Sequence, residues 1–255
     1  MDSRHPNWSV MTLTLASCLW FGAAQQDVLA QNYKEVPRAI TDVRQVSQLR
    51  RAVSTIVRSG GSLSADDRKT LQNFYVMHVI AGMTLNEATD DPAQFPNWRK
   101  IVVGDLSAMA NAPQKYSFVR NLIYSFGGRL VKDKAYSPAA RYNALLLIGE
   151  LNDREMQGQG RNITPAVPHA RSRAVLLQII RNKNESEAMK VGALIGLARH
   201  TKLVAADSGA MDEKKKKTIN NLIRTFVNIV KQQPEANASN DGLFWMQRIA
   251  AEGLG

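Results

Sequence analysis

Side chains able to transfer protons or bind a metal are few in this chain of 255 residues, and they lie far apart. Beyond residue 30 the histidines are His78, His169 and His200, and none has another ligand type at a metal-site spacing. His78 lies in an apolar run and is expected to be a half-buried core residue. His169, in the first turn after Pro168, is expected at the surface. His200, near a helix C-terminus, is expected to complement the helix dipole.

The acidic residues also lack a catalytic arrangement. They occur mostly as neighbouring pairs, and the pairs at 66–67 and 212–213 begin helices, where the dipole favours negative charge. Glu150 and Asp153 are three residues apart, without a third acid or a histidine at a useful spacing. The Gly-containing stretches lack the strand-to-helix setting of a phosphate loop. The sequence therefore predicts no catalytic residues, no cofactor and no metal site, and it favours a protein that is not an enzyme.

Basic residues outnumber acidic ones by 33 to 22, which gives a net charge of +11. Arg44, Arg51 and Arg58 recur every seven residues and would form a basic ridge about 21 Å long at the helical rise. A second basic group begins a predicted helix, where lysines oppose the dipole; it consists of Lys214, Lys215, Lys216 and Lys217. Further positive charge surrounds residues 171–183, at Arg171, Arg173, Arg181 and Lys183.

Two interpretations of these basic residues stay open. They form a solvated face that keeps the protein soluble, or they contact an anionic surface such as lipid headgroups, an acidic polysaccharide or nucleic acid. Aromatic residues that would stack on bases do not alternate with them, so no specific nucleic acid is predicted.

The first thirty residues are typical of a secretory signal peptide. An uncharged, mostly apolar run covers 10–24 and is shorter than the roughly 20 residues of a membrane-spanning helix. The stretch "VLAQ" predicts cleavage after Ala30, with Ala24 as an alternative. Loss of residues 1–30 would raise the net charge to +12 and leave no transmembrane span.

Cys18 is the one cysteine of the chain, in the stretch "LASC", which resembles the lipobox of bacterial lipoproteins. The bulky residues after it, Leu19, Trp20 and Phe21, depart from that pattern. Secretion into the periplasm or the medium is therefore expected, with lipid anchoring through Cys18 as the alternative. Asn162, Asn184 and Asn237 are glycosylation sequons, relevant in a eukaryotic source.

The apolar residues recur with helical spacing in almost every segment, so the sequence predicts an all-α fold of about nine helices and no strand. Pro113, Pro138 and Pro168 are each expected in the first turn of a helix. The connection 152–167 is unusually long for an irregular loop. The helix 188–200 is rich in Gly, Ala, Leu and Ile and is expected to line the core, which leaves function to loops and outer faces.

Three of these helices share a pattern in which a basic residue is followed by alanine three positions later. The basic residues are Arg141, Lys190 and Arg248. This pattern resembles the second helix of HEAT and armadillo-like repeats of the secreted bacterial type. The separations of 49 and 58 residues exceed the usual ≈ 40–47. The resemblance is strongest over 113–255 and implies a helical-hairpin solenoid, in which the basic side chain reaches carbonyls or a turn of a neighbouring repeat. An irregular helical bundle is the alternative.

These observations predict a signal peptide at 1–30, an N-terminal helical region at 31–111 and HEAT-like repeats at 112–255. Because the last helix ends without a polar outer face, we expect the array to continue or this edge to bind a partner or a second copy. The expected function is a secreted scaffold that binds an unidentified protein partner. The alternative is electrostatic binding to an anionic envelope polymer or membrane surface.

Overall fold

The computed structural model describes residues 33–85, 93–158, 163–207, 212–234 and 240–255. The predicted signal peptide, its cleavage site at Ala30, Cys18, and the sequons at Asn162 and Asn237 lie outside these ranges. So does the side chain of Lys214. Residues 33–255 form one compact unit.

The described part of the chain is all-α, as predicted, apart from a small two-stranded ribbon. The second helix continues from an α-helical to a π-helical segment, Asn73–Ile80, without a break. The helices of the described residues are α1 (Val43–Arg58), α2 (Ala65–Gln72 with its π-helical continuation), α3 (Gln94–Ala108), α4 (Pro113–Lys132), α5 (Pro138–Glu150), α6 (Ala170–Arg181), α7 (Glu187–Ala206), α8 (Glu213–Val230) and α9 (Asp241–Glu252).

Local capping chemistry explains where several helices begin. Ser64 and Asp67 form a capping box at the start of α2, and Ser137, Ser186 and Asp212 accept backbone N–H groups at the starts of α5, α7 and α8. Pro113 and Pro138 occupy the first turns of α4 and α5, as predicted.

The prediction that Pro168 begins a helix is wrong, as is the prediction of no strand. Val167–Pro168 is strand β2, which pairs antiparallel with β1, Asn152–Arg154, and α6 begins only at Ala170. An isolated bridge joins Gln157 to Thr164 within the same connection. The long connection 152–167 is thus partly a hairpin, which satisfies backbone groups that a free loop would leave to water.

The helices from α4 onward pack as consecutive pairs: α4 with α5, α6 with α7, and α8 with α9. The second helices of these pairs also pack on one another, α5 on α7 and α7 on α9, and α3 packs on α5. Helices α1 and α2 pack together, and α2 lies against α4. One continuous hydrophobic core runs from α1 to α9.

Helices α5 and α7 cross at two glycines. A Cβ added to Gly149 would lie 3.0 Å from the Gly196 Cα, and one added to Gly196 would lie 2.8 Å from Leu176 Cδ1. A Cβ at Gly149 would meet backbone at a distance tighter than most real Cβ contacts, whereas one at Gly196 would meet a Leu176 methyl group that can move, with the Gly149 Cα at 3.2 Å. The crossing therefore favours small residues on both helices, most strictly at Gly149.

Two sequence-based expectations about inward-facing residues are wrong. Ile195, expected to fill the core layer, is 42% exposed, and in α8 Ile223 is 42% and Val230 40% exposed. Leu222, Phe226 and Ile229, which the spacing also predicted to face inward, do fill the core, since a helix buries only one stripe.

The three basic residues of the repeat pattern have different surroundings. Arg141 is buried, donates from Nε to the Val131 carbonyl at 3.1 Å, and binds both oxygens of Glu185 at 3.1 Å. It thus connects the end of α4 to the turn before α7. Lys190 lies 3.5 Å from the Lys183 carbonyl. Arg248 is exposed and pairs with Glu252 of its own helix at 3.0 Å.

We predict that Arg141→Met lowers the free energy of unfolding by about 3–5 kcal/mol, because it leaves the Glu185 carboxylate buried without its partner. The double variant Arg141→Met/Glu185→Leu should lose less than the single one. Arg248→Met is the matched control and should change stability by no more than about 1 kcal/mol, because its pair is exposed. Urea denaturation measures all three, and equal losses for Arg141→Met and Arg248→Met would contradict the assignment.

Candidate functional site

Three adjoining clefts lie between the helices α3, α5, α7 and α9 and together form one groove. The first cleft has a volume of about 400 Å³ and is bounded by α3 and Glu150. The second, of about 210 Å³, shares Val103 and Glu150 with the first. The third, of about 510 Å³, shares Ile195 with the second. We call this surface the groove. Its residues recur on each helix with helical spacing: Pro96, Arg99, Lys100, Val103 and Gly104 on α3; Tyr142, Leu146, Gly149 and Glu150 on α5; Glu187, Ala188, Val191, Ile195, Gly196 and Arg199 on α7; Gly242, Trp245 and Ile249 on α9.

The middle of the groove and its α9 end are apolar. Tyr142 and Val191 are half-buried, whereas Ile195 is 42% and Trp245 56% exposed. Large apolar side chains that share one cleft and remain accessible are typical of a binding surface for another apolar group.

The α3 end of the groove is charged. Glu150 lies here with Arg99, whose Nε is 3.9 Å from Glu150 Oε1, and with Lys100, which is exposed and forms no ion pair with a described residue. Burial raises the pKa of Glu150, although Arg99 and Arg199 partly offset this. Arg99, Lys100 and Arg199 outnumber Glu150 here, so this end of the groove favours a partner that carries carboxylates.

Arg199 at this end is fixed by contacts to α5 and to the ribbon. It donates to the Gly149 carbonyl at 3.4 Å and to Asn152 Oδ1 at 3.0 Å. Burial lowers its pKa, and Glu150 and Glu155 partly counter that effect. A fixed guanidinium beside an apolar cleft is a ready partner for an anionic group.

On the opposite side of α5, a polar cluster holds the ribbon in place. Tyr116 donates its hydroxyl to the Asn152 carbonyl at 2.7 Å and to Glu155 Oε1 at 2.9 Å. Arg120 binds Asp153 Oδ1 at 3.1 Å, and the other Asp153 oxygen accepts the Ala170 N–H at the start of α6. Because most of these polar groups bind one another, with Arg120 Nε the exception, we interpret this cluster as structural.

The surroundings of two histidines differ from the sequence-based expectation. His169 is 4% exposed, packs edge-on against Tyr124 and lies 2.9 Å from Ser172 Oγ. His200 is fully buried, and its Nε2 donates to the Gly149 carbonyl at 3.1 Å instead of complementing a helix end. His78 is half-buried, as expected, with Nδ1 2.9 Å from the Ile40 carbonyl.

The predicted anion-contact residues lie on two separate surfaces. Arg44, Arg51 and Arg58 are exposed along α1, and among the described residues none of them forms an ion pair. On α8, Lys215 lies 3.3 Å from Asp207, Lys216 pairs with Glu213 at 2.9 Å, and Lys217 is exposed. The side chain of Lys214 is not described.

Sequence reasoning did not identify the groove. Arg99, Lys100 and Trp245 carried no signal beyond belonging to amphipathic helices. Glu150 was considered as a candidate acid, but its proximity to Arg199 across the α5–α7 crossing depends on tertiary packing and could not be predicted.

Within the described ranges, no three His, Cys, Asp or Glu residues lie close enough to hold a metal ion. No described helix is long and apolar enough to cross a membrane. Comparison of the chain with protein-family models, with curated proteins and with solved structures finds no match. The groove therefore has to be interpreted from its own chemistry.

The buried histidines predict a loss of stability at mildly acidic pH. Burial, with a smaller contribution from Arg199 and Arg173, lowers the pKa of His200 to about 3, and burial also lowers the pKa of His169. His200 is neutral in the folded protein and His169 is harder to protonate there than in the unfolded chain, in which both take up protons below about pH 6.5. Stability should therefore be complete above pH 6.5 and fall as the pH drops, by up to about 1.4 kcal/mol per pH unit for each histidine.

The measurement is urea denaturation between pH 7.5 and 5, above the range where most carboxylates titrate. His200→Gln keeps a donor for the Gly149 carbonyl, and its stability should fall less steeply than that of the wild type. Parallel slopes for the two proteins would show that His200 does not contribute.

Proposed function

We propose that this protein is a non-enzymatic helical-repeat scaffold that binds a segment of another protein in the groove across α3, α5, α7 and α9. One observation carries the proposal: accessible apolar side chains from three helices share a cleft that continues into a charged end. A catalytic function has less support, because the titratable groups beside α5 form hydrogen bonds with one another, Tyr116 with Glu155 and Arg120 with Asp153.

The packing of the second helices supports a HEAT-like solenoid. Consecutive helical pairs whose second helices stack on one another are the arrangement that such repeats produce. Arg141, at the start of α5, reaches a carbonyl of α4 and Glu185 in the turn before α7, as the resemblance implies. In a solenoid the groove would be the surface formed by the second helices.

The chemistry of the groove defines the partner segment. Tyr142, Val191, Ile195 and Trp245 would contact apolar side chains. Acidic residues at one end of the segment would face Arg99, Lys100 and Arg199, and this charge asymmetry would fix its direction. Glu187, at the α9 end, would disfavour the reverse orientation.

We also propose that the chain is exported, with residues 1–30 removed. The apolar run 10–24 and the small residues before Gln31 support this. The intact mass of the exported protein should correspond to a chain that begins at Gln31; a lipid-modified chain beginning at Cys18 is the alternative.

The groove is tested by selecting peptides from a random 12-residue display library on the exported protein. Selected peptides should combine spaced apolar residues with an acidic end. Ile195→Glu should weaken their binding by about tenfold or more, because it places a carboxylate among apolar contacts. Ile223→Glu is the matched control: Ile223 is 42% exposed, as Ile195 is, but lies on α8 outside the groove. Equal loss in both variants, or none in Ile195→Glu, would contradict the proposal.

A second candidate is electrostatic binding to an anionic surface through α1. It is favoured by the exposure of Arg44, Arg51 and Arg58 along one helix, free of ion pairs with described residues. Such a ridge matches an extended polyanion or a charged membrane better than a compact ligand.

This second candidate predicts salt-sensitive binding to vesicles with anionic headgroups. Triple substitution of Arg44, Arg51 and Arg58 by Gln should abolish vesicle binding at low ionic strength, and raising the salt should weaken wild-type binding steeply. The same number of Gln substitutions on α8, at Lys216, Lys217 and Arg224, gives a control of equal charge. Binding that is insensitive to salt, or equal loss in the two triple variants, would count against the ridge.

A further inference from the structure

A second, smaller cleft lies away from the groove, where the ribbon meets α6, α7 and α8. Its volume is about 210 Å³, below the roughly 300–1,000 Å³ of sites for drug-sized ligands. Ala166, Val167 and Pro168 form one wall, and Leu203 and Val204 of α7 form another. The walls are therefore mostly apolar and suit a group of the size of one side chain.

Arg173 of α6 lines this cleft and forms no salt bridge with a described residue. It is half-buried, and its guanidinium forms no hydrogen bond or ion pair with a described residue. Burial lowers the pKa of Arg173, and Asp153 only partly offsets this. Asp153 is already engaged by Arg120 and the Ala170 N–H. A partly desolvated cation of this kind gains from an anion that enters the cleft.

The other charges around the cleft limit that anion to a single negative charge. Lys215 lies 3.3 Å from the Asp207 carboxylate, and Asp212 accepts the Lys215 backbone N–H at 2.6 Å. These residues contribute one positive and two negative charges beside Arg173. With Arg173 these charges sum to zero, so a dianion such as phosphate would leave a larger excess of negative charge than a monoanion that pairs directly with Arg173.

We infer that this cleft binds an apolar monocarboxylate, whose carboxylate pairs with Arg173 and whose apolar part rests on Pro168, Leu203 and Val204. Such a group occurs in a small branched-chain carboxylic acid and at the C-terminus of a polypeptide that ends in an apolar residue. Bidentate pairing with a planar carboxylate is the geometry that a guanidinium favours. The inference is independent of the proposed groove, because the two sites share no residue.

The test is a titration of the purified protein with four probes: N-acetyl-leucine, N-acetyl-leucinamide, isovalerate and inorganic phosphate. Binding is followed by amide chemical shifts at Leu203, Val204 and Thr218. N-acetyl-leucine should bind, and the uncharged amide should bind about tenfold more weakly or worse, because it loses the charge-assisted pair. Phosphate should bind more weakly than the acid.

Arg173→Gln should reduce acid binding to the level of the amide, and Arg173→Lys should retain part of it. Arg171→Gln, two residues away on the same helix and exposed, removes the same charge outside the cleft and should leave binding within about twofold. Circular dichroism should show the fold of all three variants unchanged, because the Arg173 guanidinium has no internal partner to lose.

The two sources of the ligand give different results. Equal affinity for isovalerate and N-acetyl-leucine indicates that a free carboxylic acid suffices, and much tighter binding of N-acetyl-leucine indicates a polypeptide terminus. The inference is overturned if none of the probes shifts these amides, if acid and amide bind equally, if phosphate binds most tightly, or if Arg171→Gln loses as much binding as Arg173→Gln.

Discussion

The close crossing of α5 and α7 is the constraint on which the rest of this molecule depends. Gly149 and Gly196 bring the two backbones so near that a Cβ at Gly149 would lie 3.0 Å from the Gly196 Cα, and one at Gly196 would lie 3.2 Å from the Gly149 Cα. The same approach places the Gly149 carbonyl within reach of His200 and Arg199. A helix-terminal carbonyl that would otherwise need water is thereby satisfied by side chains of the neighbouring helix. The crossing therefore determines both the packing of α5 on α7 and the hydrogen bonds of the Gly149 carbonyl.

The crossing also separates the two faces of the second-helix layer. On one face, Leu146 and Ile195 stand on either side of the glycine contact and form the apolar floor of the groove. On the other, the ribbon after α5 is held by Tyr116 and Arg120, and Arg199 connects the ribbon to the groove by donating to Asn152. Because buried polar groups need partners, the second face is closed by mutual hydrogen bonds, whereas the first remains open.

The sequence was sufficient to predict the helices and their number, because capping residues and apolar spacing act locally. Pro113 and Pro138 lie in the first turns of helices, where they were expected. The sequence-based predictions were wrong where tertiary contacts determine whether a side chain is buried. His169 lies in a local setting typical of the surface, yet the ribbon and Tyr124 cover it. Ile195 has the character of a core residue, yet it is 42% exposed and lines the groove.

The same limit explains why neither cleft could be found from residue types. A count of charges shows an excess of basic residues but not how many have internal partners. Arg141 donates hydrogen bonds to Glu185 and to a backbone carbonyl, and Arg50 binds Asp105 through both of its terminal nitrogens. Both side chains are therefore structural. Arg173, by contrast, has the same side chain and no such partner.

Burial distinguishes the remaining free cations from one another. Arg44, Arg51 and Arg58 stand in open solvent, where salt screens each charge and attraction is weak and unselective. Arg173 is partly withdrawn from water, so its attraction for an anion is less screened and is confined by the apolar walls of the cleft. Burial thus separates the two proposals made for the basic residues: unselective surface attraction along α1, and selective recognition where a cation is both unpaired and enclosed.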